Sequence, residues 1–424
     1  MCSRNSASCA QSLRDPLRPP PKPLSIKTSP HGTAAQMQDA TQLIHSGRPA
    51  TSVEGTVNHP VHRASTILSP SVDSYLARFD GTKRYDGITY GANGTANARA
   101  LAEVVNGYER GAGSIISSSG LSAVTLTLAA FVKAGDHILV TDSVYGPARK
   151  FCDQTLARFG VETTYYEPSI GADIATLMRP NTRLVYTEAP GSLTFEMQDI
   201  PAIAAVAKAH GALVAMDNTW ATPMYFRPLE HGVDISIQAG TKYFAGHSDL
   251  IIGMVTCATD ALYQQLADHR MNHGDVASPD DCFMALRGMR SLSARLPRQA
   301  ESAMVVATWL QSQAQVARVL FPALPEDPGH TLWKRDFDGA SSLFGLILHA
   351  QDLPATARFV DDLELFQIGS SWGGYESLVA LNIGTNLGRS AQQWTECQYL
   401  LRLHIGLEDP ADLIADLSAG LARI

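Results

Sequence analysis

The sequence predicts an α/β protein with a large, mostly parallel sheet domain and a smaller C-terminal α/β domain. Short apolar runs alternate with helix-length segments from about Thr95 to Gly240, the pattern of strands joined by crossover helices. From about Ser291 long helical stretches precede separated apolar runs, which marks a second, mixed unit. A chain of 424 residues with 45% hydrophobic and 17% charged residues has ample material for such a core.

Element by element, "ARALAEVVNGYERG" reads as a helix and "LSAVTLTLAAFVKAGD" as another with a glycine stop. "HILVTD" is a short strand, "GPARKFCDQTLARFG" a helix and "VETTYYEP" a strand. "TRLVYTEAP", "PAIAAVAKAHG", "ALVAMDN" and "VDISIQAG" continue the alternation. In the C-terminal part, the helical "ESAMVVATWLQSQ" precedes "SSLFGLILHA", "FVDDLELFQIG" and "RLHIGLED", and "PADLIADLSAGLARI" closes the chain as an amphipathic helix. Residues 1–35 are rich in Pro and Ser and are expected to be a disordered tail. Residues 36–94 read as an extended arm, 95–290 as the main domain and 291–424 as the C-terminal domain.

Bulk properties exclude several functions. A net charge of −8 offers no basic footprint for nucleic acid. No run approaches the roughly 18 apolar residues of a membrane span, and the N-terminus has no signal-peptide core. Cys2, Cys9, Cys152, Cys257, Cys282 and Cys397 are scattered without zinc spacing, so no metal is expected and a reducing compartment, the cytoplasm, is.

Four places are able to carry chemistry. Asp217 ends the apolar run "ALVAM", and ligands of open α/β sheets sit beyond the carboxyl ends of strands. The same aspartate also suits capping of the D-N-T turn. Lys242 lies in "QAGTKYFAGHSD", where Gly240, Ala245 and Gly246 leave room for a planar group and Thr241 offers a hydroxyl. A nucleophilic lysine needs such a desolvated setting, although lysines ordinarily face solvent. "SSSGLSAVTLTLAA" opens a helix with free N–H groups at Gly120 and Leu121 and hydroxyls at Ser118 and Ser119, suited to an anion and equally to simple capping. Tyr145 follows the "HILV" strand, where its ring covers a flat ligand or packs.

The order of these four, with D-x-x-Y-G at Asp142–Gly146 and T-K-Y followed by G-H-S-D at Gly246–Asp249, resembles the Cys/Met-metabolism (trans-sulfuration) family of pyridoxal 5'-phosphate (PLP) enzymes, from about residue 37 to the end. The resemblance implies the aspartate-aminotransferase-like fold type I and a homotetramer, a dimer of dimers with shared active sites. It makes Lys242 the lysine that holds the cofactor, Asp217 the partner of the pyridinium nitrogen and Tyr145 the stacking ring. Gly120, Leu121 and Thr241 become phosphate ligands, and Tyr90 reaches a neighbour's site from the arm. Arg402, in "RLHIGLED", binds the substrate α-carboxylate, beside Ser371 and Trp372 of "SSWGGYES"; paired guanidinium donors match a carboxylate.

"EAPGSLTFEMQDI", "DISIQAGTKYFAGHSD" and "SSWGGYESL" are more similar to the bacterial cystathionine beta-lyase branch than to the gamma enzymes. That branch implies cleavage of L-cystathionine to homocysteine, pyruvate and ammonia, in methionine biosynthesis, with Lys242 moving the Cα proton. Tyr90 and Tyr145 stand beside it as catalytic candidates. The pattern departs at one point: the family's Y-x-R in the arm is Tyr90 followed by Ala92, so a charged phosphate contact is missing, with Asn93 or Arg99 as possible substitutes. Met271 stands where beta-lyases often carry tyrosine. Three alternatives follow: a broader cysteine-S-conjugate or methionine lyase, a homoserine-ester sulfhydrylase, or a PLP-binding scaffold without catalysis.

Overall fold

Seven strands form the larger sheet: β1 Gly113–Ser117, β2 His137–Thr141, β3 Glu162–Tyr166, β4 Thr182–Glu188, β5 Leu213–Asp217, β6 Ile235–Gln238 and β7 Gly253–Cys257. Their order is β1-β7-β6-β5-β4-β2-β3. The five strands from β2 to β6 pair in parallel, while β7 runs antiparallel to both β1 and β6. This computed structural model describes residues 37–50, 55–79, 85, 87–384 and 387–424. The expected disordered tail, 1–35, with Cys2 and Cys9, lies outside them.

Burial explains why the parallel strands read as continuous apolar runs. Every residue of β2 is buried, and β4 is buried at Leu184, Val185 and Tyr186, because helices cover both faces. The helix Ala96–Glu109 turns Leu101, Val104, Val105 and Tyr108 inward. The helix Gly120–Ala130 begins where Ser119 caps it, its Oγ accepting from Ser122 N at 2.9 Å. The segment read as one helix from Gly146 is α-helical to Phe151 and then continues as a π turn over Cys152–Leu156 and a 3-10 turn over Ala157–Phe159.

The second sheet contains β8 Val316–Leu320, β9 Leu343–Leu348, β10 Gln367–Ile368, β11 Leu378–Ile383 and β12 Tyr399–His404. It is ordered β10-β11-β12-β9-β8 and is antiparallel except for the β10–β11 pair. Trp220, just beyond β5, joins the two sheets: its Nε1 donates to Leu343 O at 2.9 Å and its ring meets Phe321 and Phe337 edge-on. The strand carrying Asp217 is thereby fixed against the sheet carrying Arg402.

In the arm, helices Asp39–His45 and Val72–Leu76 interrupt the extended chain, and Thr66 bridges Tyr90. Among the described residues no helix is long and apolar enough to cross a membrane. Cys152, Cys257, Cys282 and Cys397 are buried and unbridged.

Candidate active site

Three parallel strands end side by side at the same edge. Glu188 of β4 and Asp217 of β5 are register partners, and Asp217 is opposite Ile237 of β6. Beyond Gln238 the chain folds into a tight turn, in which Lys242 N donates to Ala239 O at 3.0 Å and Gly246 N donates to Lys242 O at 2.8 Å. Arg295, inside the helix Leu292–Gln311, runs behind this turn and its Nη2 donates to Tyr243 O and Gly288 O, each at 2.9 Å. Gly246 has φ +70°, and a Cβ there would lie 2.1 Å from Arg295 Nη1. The glycine of the T-K-Y-x-x-G string is thus required by both its backbone conformation and a buried guanidinium.

Lys242 Nζ donates to Ser371 Oγ at 2.8 Å and lies 5.3 Å from the centre of the Trp372 ring. The loop bearing both residues rests directly on the lysine backbone. Gly373 has φ +87°, and a Cβ on it would come within 2.8 Å of Lys242 C. His404 of β12 braces the loop from below: its Nε2 is 3.1 Å from Gly373 N and its Nδ1 is 3.2 Å from Ser342 Oγ. Ser342 Oγ is in turn 3.0 Å from the Tyr243 hydroxyl. Burial holds the His404 imidazole neutral, its pKa lowered to about 4. Two residues earlier on the strand, Arg402 Nη2 donates to Ser370 O at 2.8 Å and approaches Ser371 O at 3.3 Å.

Burial lowers the pKa of the Lys242 amine to about 8; the Arg402 charge adds to this, and Asp217 partly opposes it. A nucleophile must be neutral, so covalent capture of an aldehyde by the cofactor-free protein is expected to quicken from pH 7 to pH 9 with a midpoint near 8. Stopped-flow absorbance checks this; a rate flat across that interval contradicts it.

Asp217 Oδ1 accepts from Thr219 N at 3.0 Å and Thr219 Oγ1 at 2.5 Å. Thr219 Oγ1 also accepts from Ala239 N at 2.8 Å, which ties the carboxylate to the lysine turn. Asp217 Oδ2 has no donor among the described residues, so one oxygen remains for a protonated ligand atom. Burial pushes the Asp217 carboxyl up, against the Thr219 bonds and the Lys242 charge. Glu188 is pushed up well beyond the usual carboxylate range, by burial first and then by the Asp217 charge. Its Oε2 accepts from Tyr145 N at 2.8 Å, fixing the backbone of the aromatic residue. Tyr145 is 42% exposed.

At the other end of the cleft, Gly120 N and Leu121 N have no acceptor among the described residues. Thr241 Oγ1 is engaged by Ile252, donating to its carbonyl at 3.2 Å and accepting from its N–H at 3.0 Å. To serve a phosphate, the hydroxyl has to turn away from Ile252 O.

The model of the family described as Cys/Met metabolism PLP-dependent enzyme matches residues 40–422. The chain belongs to this family. A protein of Rhizobium johnstonii is 51% identical over 90% of this chain and 95% of its own length. The cystathionine beta-lyase of Escherichia coli K12 is 41% identical over 91% of this chain and 98% of its own. Among solved structures, cystathionine gamma synthase from Xanthomonas oryzae, in complex with aminoacrylate and cysteine, superposes with a TM-score of 0.84 at 30% identity, covering 91% of this chain and 98% of that one. The architecture is therefore the α/β fold of the PLP-dependent trans-sulfuration enzymes, fold type I, and the cofactor is PLP.

The residues present fit that cofactor. Asp217 Oδ2 has no protein donor, the amine of Lys242 is desolvated, Tyr145 is exposed and two helix-start N–H groups have no acceptor. The structure brings Lys242, Asp217, Tyr145, Ser371, Trp372 and Arg402 to one cleft through the contacts above. Tyr90 is placed apart, in the arm, with its side chain half exposed. Asn93 Nδ2 donates to Thr89 Oγ1 at 3.1 Å, and Arg99 Nη2 donates to Gly87 O at 3.2 Å. Both suggested substitutes for the missing arm arginine thus have tasks inside the arm. Met271 lines a cavity beside β1 together with Arg99 and Arg270. Sequence reasoning did not find Glu188, Arg295 or His404, which act through contacts between distant segments, nor name Thr219, which binds Asp217 within the D-N-T turn.

Proposed function

We propose that this protein is a PLP-dependent carbon–sulfur β-lyase that cleaves L-cystathionine to homocysteine, pyruvate and ammonia. The observation that carries the reading is the placement of Lys242 Nζ at 2.8 Å from Ser371 Oγ, beneath the Ser370–Ser371–Trp372 loop that Arg402 ties down. PLP held in this site would supply an electron sink that makes the substrate Cα proton removable. Lys242, with its lowered pKa, takes that proton as a neutral amine and delivers one to the departing sulfur. Ser371 aims the amine. Arg402 anchors the α-carboxylate through guanidinium donors not used on Ser370. Asp217, through Oδ2, would hold the protonated ring nitrogen and Tyr145 would cover the ring, while Gly120 N, Leu121 N and Thr241 would hold the phosphate.

Tyr90 acts in this reading on a neighbouring subunit's site, within a homotetramer of paired dimers. Its half-exposed side chain, beside the isolated bridge between Thr66 and Tyr90, supports that role. The arm, 36–94, the PLP-binding domain, 95–290, and the C-terminal domain, 291–424, divide these tasks. Four buried, unbridged cysteines among the described residues support a cytoplasmic setting.

A substrate panel of cystathionine, cystine, methionine and O-acyl homoserines, with products identified by mass, tests the reading. Cystathionine should give pyruvate and homocysteine in equal amounts. Cysteine with 2-oxobutyrate, or thiol incorporation into the homoserine esters as the main reaction, overturns it.

A further inference from the structure

A carboxylate is docked on the start of the helix assigned to the cofactor phosphate. Asp275 Oδ1 accepts from Ser118 Oγ at 2.5 Å, Ser118 N at 3.1 Å and Ser122 Oγ at 3.0 Å, and Oδ2 is 3.3 Å from Ser118 N. These donors flank Gly120 and Leu121, whose N–H groups have no acceptor among the described residues. Arg270 Nη1 donates to the Asp275 backbone carbonyl at 2.8 Å, pinning the residue at this place.

A helix start attracts anions through its free N–H groups and dipole. Here one share of that attraction is already taken by a fixed negative charge. The family's arm-arginine position is Ala92, two residues after Tyr90, and Arg99 Nη2 is committed to the Gly87 and Asn93 carbonyls. A phosphate on Gly120 N and Leu121 N would lie beside the serines that hold the Asp275 carboxylate, whose charge Arg270 faces.

We propose that Asp275 is a resident counter-anion that limits how tightly the protein holds a phosphorylated cofactor, so that loading follows the free PLP concentration. The inference rests on the reading of Gly120 and Leu121 as phosphate ligands, and the test separates the two. Asp275→Asn keeps an oxygen for the Ser118 donors while removing the charge. PLP is titrated into the full-length apoprotein at low salt by absorbance, alongside pyridoxal, which lacks the phosphate. Leu121→Pro, tolerated in a first helical turn, removes one N–H.

Asp275→Asn should tighten PLP binding by about tenfold, the scale of one unit charge acting on a phosphate near a protein surface. The gain should shrink in high salt, and pyridoxal should bind both proteins alike. Unchanged or weaker PLP binding by Asp275→Asn, or an equal gain for pyridoxal, overturns the inference. If Leu121→Pro weakens PLP while Asp275→Asn has no effect, the inference alone falls. If Leu121→Pro leaves PLP affinity untouched, the phosphate assignment falls and the inference with it.

Discussion

Replacing Lys242 with alanine is expected to lower cystathionine cleavage on the order of 10⁴-fold, the upper range for removal of a positioned proton carrier. The reason lies in the cleft. Among the described residues no other amine contacts Ser371 and Trp372, and the Lys242 amine is desolvated with its pKa lowered to about 8. Lys242→Arg should fare no better, because guanidinium stays protonated and neither attacks nor accepts a proton. A small primary amine added to Lys242→Ala should restore part of the rate, since the truncated side chain leaves space beneath Trp372. Steady-state kinetics on the alanine variant checks this. More than a tenth of the wild-type rate would remove Lys242 from the chemistry.

Asp217→Ala is expected to lower kcat/KM by about 10²- to 10³-fold, the range for leaving one member of a buried charged pair without its partner. Asp217 Oδ1 is already taken by Thr219, so the loss falls on Oδ2, the oxygen left for the ring nitrogen. Asp217→Asn, which keeps the Thr219 contacts but carries no charge, should retain PLP yet stay at least about tenfold impaired. Absorbance titration of PLP alongside kinetics separates cofactor loss from slowed chemistry. A fully active Asp217→Asn would mean that the charge at this position does nothing for the reaction.

The parallel strands were legible because burial on both faces writes them as unbroken apolar runs such as "HILV" and "ALVAM". Strands β1 and β7 were not, since each is a short run beside glycine whose pairing is set by a partner far along the chain. Lys242 and Asp217 were legible through the order of weak signals, and Gly246 has a physical reason visible only in three dimensions: Arg295 occupies the space behind it. His404 looks like a polar residue at the end of a strand; only the sheet shows it under the loop of Ser371. Glu188 likewise becomes a neighbour of Asp217 only through strand register. The missing arginine at Ala92 was readable from sequence, whereas the carboxylate docked on Ser118 was not, because no spacing rule links residue 275 to that helix start.

Borohydride reduction of the loaded protein, followed by peptide mass mapping, identifies the lysine that carries the cofactor. One reduced cofactor per chain is expected, on the peptide that contains Lys242. A cofactor fixed to Lys150, Lys208 or any other lysine, with the Lys242 peptide unmodified, would contradict it.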